Sequence, residues 1–256
     1  MNDGLPTTSI LGIPVVRATH AEALRAIADL FDSGTPGIVC YVNAHSLNLA
    51  QRDPEYRSVL CGAPLVLNDG AGVSVAARIE GTSFPANLNG SDFNPAILRL
   101  AAERGWRVFL LGAGPGVAEE AARRLSARIG NLIVTGCREG YFDEHENEGV
   151  VTEIRASGAD VLMVAMGNPR QEKWLARNLD ATGARLGIGV GAFFDFTAGV
   201  VPRAPRWLNS IGMEWAFRLA QEPRRMWRRY VVGNPVFLWR VLRSRFKARG
   251  AGKLGG

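Results

Sequence analysis

The chain has 256 residues, 47% of them apolar and 21% charged, and a net charge of +6. That excludes a disordered chain and leaves room for one large domain, or one domain with an appendage. The charge is uneven: residues 201–256 carry 13 Lys/Arg against 2 Asp/Glu, which leaves residues 1–200 with 17 against 22. The basicity therefore belongs to the tail, which also holds Trp207, Trp215, Trp227 and Trp239.

The first residues lack a basic segment followed by a long apolar run, and no stretch approaches about 18 uninterrupted apolar residues. The expectation is a cytoplasmic chain with neither a signal peptide nor a membrane span. Cys40, Cys61 and Cys137 are far apart, form no C-x-x-C pair and read as free buried thiols.

Thr19-His-Ala-Glu22 has the spacing of a capping box and predicts a helix to about Phe31. Gly37–Val42 (GIVCYV) reads as a buried strand and Ala44–Ala50 as a helix. Leu65–Leu67 is a short strand ending at Asn68-Asp69-Gly70, with a helix from about Ala71 to Ile79. Ser91 can cap a helix to about Arg104. Trp106–Leu111 is a strand running into Gly112-Ala-Gly-Pro-Gly116, and a helix follows to about Ile129. Leu132–Thr135 is a strand, and a helix covers about Glu146 to Ala156. Asp160–Met166 is a strand leading to Gly167-Asn-Pro-Arg-Gln171 and a further helix, and Arg185–Val190 is a strand ending at Gly191.

Strands alternating with helices predict an α/β fold: a Rossmann-like, mostly parallel sheet with helices on both faces. Ligands of such sheets sit beyond the carboxyl ends of the strands. The residues in question are therefore Asn43, His45, Asn68, Asp69, the 112–116 glycines, Asn168 to Gln171, and Gly191 with Asp195.

Asp69 ends an apolar strand at a glycine-flanked turn, where a carboxylate either deprotonates a hydroxyl or caps the next helix. Gly112 and Gly114 fit the first two positions of G-x-G-x-x-G, but Val117 occupies the third, and no acidic residue closes the following strand. This argues against a dinucleotide-dependent oxidoreductase, while the glycines still suit the approach of a phosphate; a tight structural turn is the alternative. Asn168 and Gln171 are polar side chains at the same mouth, and Gln171 can hydrogen-bond a hydroxyl-rich ligand but cannot act as a base. His45 is either a base or a hydrogen-bonded structural histidine. Asp143–Glu146 reads as a solvated helix start, not a metal site. No D-x-D pair occurs, so any sugar-nucleotide leaving group must be neutralised by something other than a metal held that way.

The tail offers arginines. Arg218, Arg224, Arg225, Arg228 and Arg229 flank Trp215 and Trp227, and Pro223 and Pro235 suit helix starts, so two or three short helices are expected. In the last, Val236, Trp239, Leu242 and Phe246 recur at three- and four-residue steps with Arg240, Arg243, Arg245 and Lys247 between them. That is the pattern of a helix lying in a membrane interface. A solvated basic face is the plain alternative. Nucleic-acid binding is disfavoured by the acidic core.

The stretches YVNAHSLNLA, LNDGAGV, FLLGAGPGVAEEAA, GYF, GNPRQEKW, IGVGAFFDFTAG, RAPRW, GMEWAFRLAQEPRRMWRRY and GNPVF together resemble the WecG/TagA/CpsF family of bacterial glycosyltransferases, from about Ile10 to Phe246. The resemblance implies an inverting transferase that needs no metal or cofactor. It takes a UDP-sugar donor, and its acceptor is a sugar on a polyprenyl diphosphate in the cytoplasmic leaflet. On the matching positions, Asp69 is the base, Asn43 and Gln171 belong to the substrate pocket, and Arg218, Arg225 and Arg228 close over the diphosphate. Two positions depart from the family pattern: Tyr41 stands where Thr is frequent, and Asn87 where Arg is frequent. The lost cation favours a neutral hexose or N-acetylhexosamine over a uronic acid. Residues 1–198 are then the catalytic core, and 199–256 a helical membrane-binding appendage.

Overall fold

The computed structural model describes residues 4–202 and 214–252, apart from the side chains of residues 214, 218, 225 and 247–252. Trp207, the RAPRW stretch and the final residues 253–256 lie outside the described residues. A hairpin of β1 (Thr7–Ile10) and β2 (Ile13–Val16) comes first, followed by α1 (His20–Asp32), β3 (Gly37–Val42), α2 (Ala44–Ala50) and α3 (Pro54–Gly62). Then come β4 (Leu65–Asn68), α4 (Ala71–Ile79), α5 (Gly90–Arg104), β5 (Arg107–Gly112), α6 (Val117–Arg128) and β6 (Ile133–Arg138). A 3-10 turn (Glu144–Glu146) precedes α7 (Asn147–Ser157), β7 (Val161–Ala165), α8 (Arg170–Thr182), β8 (Leu186–Gly189) and α9 (Phe193–Ala198). The tail forms α10 (Glu214–Gln221), α11 (Pro223–Trp227), a π-helical turn (Arg228–Val232) and α12 (Gly233–Gly252).

Six strands form one parallel sheet in the order β4-β3-β8-β7-β5-β6. Alternation along each strand feeds both faces. Val108 and Leu110 of β5 join the cluster under α1, α5 and α6, whereas Phe109 and Leu111 join the cluster under α7 and α8. A third cluster gathers Cys40 and Val42 with α2, α3, α4 and the hairpin. This is the expected α/β architecture.

The capping box of α1 is present: Glu22 N donates to Thr19 Oγ1, and Thr19 N donates to Glu22 Oε2. Two details differ from the sequence expectations. The helix over 90–104 is capped by Asn89, whose Oδ1 accepts from Asp92 N, so Ser91 lies inside the first turn. Of the three thiols, Cys40 is buried, Cys137 is half-buried and Cys61 is exposed. The β1–β2 hairpin was not apparent in the sequence. Its turn residues Leu11 and Gly12 have φ of 52° and 81°, a type I′-like geometry that is usually marked by Asn-Gly.

The tail packs on the core through α12. Phe237 and Val241 are fully buried among Leu47, Val73 and Ala77. Gly233 O accepts from Asn48 Nδ2 at 2.8 Å, and Arg240 Nη1 donates to Asn48 Oδ1 at 2.7 Å. The tail is thereby tied to α2, the helix that begins beside the candidate site.

Candidate active site

A cavity of about 340 Å³ opens beyond the carboxyl ends of β3, β4, β7 and β8, where a doubly wound sheet places its ligands. It is lined by Tyr41, Asn43, His45, Asp69, Gly90, Ser91, Gly167, Asn168, Gln171, the 189–193 segment, Phe196, Met226 and Arg229. A larger groove of about 590 Å³ lies along α1, at the amino ends of β3 and β4, away from every candidate residue.

Asp69 follows β4 directly, and its N–H donates to Val42 O, continuing the β3–β4 ladder by one step. It does not cap α4: the N-cap is Gly70, at φ 89°, with no side-chain cap bond. Asn43 Nδ2 instead donates to Asp69 Oδ2 at 3.1 Å. The Asn43 Oδ1 accepts from His45 N and Ser46 N, capping α2. One amide thus fixes both a helix end and one oxygen of the carboxylate. Among the described residues the other oxygen has no partner, and it is left for the cavity.

Asn87 does not line the cavity. Its Oδ1 accepts from Gly70 N at 3.1 Å, and Asn68 Nδ2 donates to Ala86 O, so the two side chains pin the 84–89 loop over the Asp69 turn. Tyr41 OH donates to Asn94 Oδ1 at 2.7 Å. Burial, and then the Asp69 carboxylate, raise the Tyr41 phenol well above its ordinary range, which keeps it a neutral donor.

Gln171 is almost fully buried. Its Oε1 accepts from Gly167 N at 3.0 Å and Gly191 N at 3.1 Å, bridging the loops after β7 and β8. Its Nε2 donates to Glu172 Oε1 at 2.7 Å, and Asn168 Nδ2 donates to the same oxygen at 2.5 Å. Gly189 makes room for this arrangement, since a Cβ there would stand 2.8 Å from Gln171 Nε2. Glu172 is fully buried behind the cavity floor, with Oε2 unpartnered. Burial pushes its carboxyl up to about 7, against the opposing pull of the Gln171 and Asn168 amides. Gln171 is therefore first a clamp on the cavity floor, a role that the sequence does not disclose.

Gly112 and Gly114 are not in the cavity lining. Their loop follows β5, one strand beyond β7, and is occupied internally: Ala113 N donates to Ala165 O, and Gly140 N donates to Ala113 O. The tail closes the near side of the cavity with Met226 of α11 and Arg229 of the π-helical turn. Arg228 points elsewhere, with its guanidinium 5.5 Å from the Trp227 ring centre. Arg218 and Arg225 lie on α10 and α11, and their side chains are outside the described residues.

Residues 8–251 match the model of the Glycosyl transferase WecG/TagA/CpsF family. The chain belongs to this family. It is accordingly a glycosyltransferase of polysaccharide biosynthesis, and the family match spans both the parallel sheet and the helical tail. Membership implies a sugar donor and a glycan acceptor as its substrates. Arg229, Met226, Ser91 and Glu172 were not among the site residues expected from the sequence. The buried Glu172 has a sequence signal, a glutamate within an otherwise amphipathic helix start, but nothing local reveals that it is turned inward.

Proposed function

We propose that the chain is an inverting, metal-independent glycosyltransferase. It moves a hexose or N-acetylhexosamine from a UDP-sugar to a saccharide on a polyprenyl diphosphate. The observation that carries this reading is Asp69: a carboxylate at the cavity mouth, oriented by Asn43, with one oxygen uncommitted and no capping duty. Asp69 takes the proton of the acceptor hydroxyl. The hydroxyl oxygen bonds to the anomeric carbon from the face opposite the diphosphate, the bond to the diphosphate oxygen breaks, and UDP leaves with the electron pair. Guanidinium groups of the tail stabilise the leaving charge in place of a divalent metal.

A neutral sugar is favoured because Asn87 spends its oxygen on Gly70 N and supplies no cation to the cavity. Residues 199–256 act as an appendage that both completes the site and seats the chain on the inner face of the cell membrane. Trp239, Leu242 and Phe246 are exposed on α12, and Val231 and Val232 are exposed on the π-helical turn before it. Arg243 stacks over Trp239 at 5.1 Å. Each cation near an anionic leaflet contributes about 1 kcal/mol. Among the described residues, no helix is long and apolar enough to cross a membrane.

The test is UDP release from a panel of UDP-sugars with a short-chain polyprenyl-diphosphate-sugar acceptor and EDTA. Acceptor-dependent release that survives EDTA and is lost in Asp69→Asn supports the reading. A strict requirement for divalent metal, or full activity in Asp69→Asn, overturns it.

A further inference from the structure

We infer that Arg229 and His45 together form the anion-holding end of the cavity, and that His45 takes up a proton when the donor's diphosphate settles there. The inference rests on the nucleotide-sugar reading above and assigns that ligand's charged centre to two side chains which the family resemblance did not single out.

Both residues line the same cavity as Asp69. Arg229 reaches it from the π-helical turn. Among the described residues its Nε is buried without a hydrogen-bond partner, and its guanidinium carbon lies 5.5 Å from the Tyr230 ring centre. Among the described residues it has no carboxylate within ion-pair distance. A buried guanidinium N–H without an acceptor is costly, and an anionic oxygen is the acceptor that relieves it best. Asp69 lines the same cavity, but among the described residues no ion pair joins it to Arg229.

His45 lies at the second position of α2. Among the described residues, its ring makes no hydrogen bond. Burial first, and then the Arg229 charge, hold its imidazole down at about 4, so it is neutral at pH 7. Two groups that repel each other's charge thus face one cavity, and an anion is the ligand that suits both. The other titratable or charged side chains sharing the cavity are Asp69 from the β4 turn and Tyr41 from β3. Glu172 of α8 is buried behind the floor, and Arg240 of α12 is engaged by Asn48 one turn further along α2.

A diphosphate acts on the second of these causes, the Arg229 charge, and opposes the first, burial. It offsets Arg229 and favours the imidazolium, so the bound form holds a proton that the free form lacks. By linkage, affinity then rises as pH falls from the imidazole value of the complex toward about 4, by up to roughly tenfold per pH unit.

The test is calorimetric titration of the full chain with UDP-glucose, UDP-N-acetylglucosamine and UDP-N-acetylmannosamine, without acceptor, at pH 7 in buffers of different ionisation enthalpy. The diphosphate of a UDP-sugar has no proton to gain near neutrality, so any uptake belongs to the protein. The expected result is net proton uptake that disappears in His45→Gln, with affinity weakened about tenfold or more in Arg229→Gln. Binding without proton uptake, or uptake unchanged in His45→Gln, overturns the inference. Sulfate, which does not titrate in this range, is run in parallel. Proton-linked sulfate binding without UDP-sugar binding keeps the anion site and overturns the nucleotide-sugar reading. Binding of neither overturns both.

Discussion

Asn43 donates to Asp69 across 3.1 Å while its own carbonyl oxygen caps α2, so the orientation of the candidate base is coupled to the start of a helix. The two duties are separable. In Asn43→Ser the cap survives and the reach to Asp69 is lost. The expected outcome is a fall in kcat with the melting temperature nearly unchanged. Asn43→Ala loses both, and costs about 1 kcal/mol of stability in addition. Paired kinetics and thermal melts on the two variants check this.

Replacement of Asp69 by Asn preserves the shape of the cavity and removes the proton acceptor. Turnover is expected to fall by about 10²- to 10⁴-fold, with donor affinity within a few-fold of wild type. Single-turnover assays beside equilibrium binding of the donor separate these effects.

Glu172 makes stability depend on pH. Its value in the folded chain, about 7, lies above the ordinary 4.5. The folded form therefore keeps the proton across that window. The contribution is complete below about 4.5 and is lost as pH rises through 7, amounting to about 3 kcal/mol in all. Glu172→Gln is expected to flatten the profile of unfolding free energy between pH 5 and 8. An unchanged slope in the variant would assign the dependence to another group.

The two apolar faces of α12 are expected to respond differently. Phe237 is fully buried, and Phe237→Ala should cost about 3–5 kcal/mol. Trp239 and Phe246 are 57% and 70% exposed. The double change to Ser should alter stability by no more than about 0.5 kcal/mol each while reducing sedimentation with anionic vesicles. Vesicle binding that survives the double change would remove the membrane role from this face.

Gly112 and Gly114 are distinguished by their surroundings. A Cβ on Gly112 would stand 2.5 Å from the Ala165 carbonyl oxygen, at φ 134°, whereas at Gly114 the nearest atom is Val117 Cγ2 at 3.8 Å. Gly112→Ala is expected to destabilise the chain by about 2 kcal/mol or more, and Gly114→Ala by less than about 0.5 kcal/mol. Denaturant unfolding of both variants reads the difference, and the UDP-sugar affinity of Gly114→Ala tests whether this loop also touches the donor.

The sequence made the parallel core legible because its signals are local. Gly37–Val42 and Ala44–Ala50 have the bounds expected of them, and the Thr19–Glu22 box caps the helix it announces. What was hidden depends on tertiary context. The hairpin turn uses Leu11 at positive φ, which no turn pattern marks. Helix α3 went unread although Asp53 caps it and Pro54 opens it, because its apolar positions are few. In the tail, the exposed Trp239–Leu242–Phe246 stripe was legible, but the docking stripe of Phe237 and Val241 was masked by it. Arg228 is expected from the family resemblance alone, and nothing local marks Arg229, which lines the cavity from the π-helical turn.

The Gln171 bridge between Gly167 and Gly191 has a consequence for how such a scaffold can diversify. Its side-chain oxygen is spent on the backbone, so altering that residue disturbs the whole cavity floor and, on the proposed reading, would affect every donor alike. On the proposed reading, new sugar preferences would be more readily reached from the helical tail, where Met226 and Arg229 form one wall and a change there leaves the foundation standing.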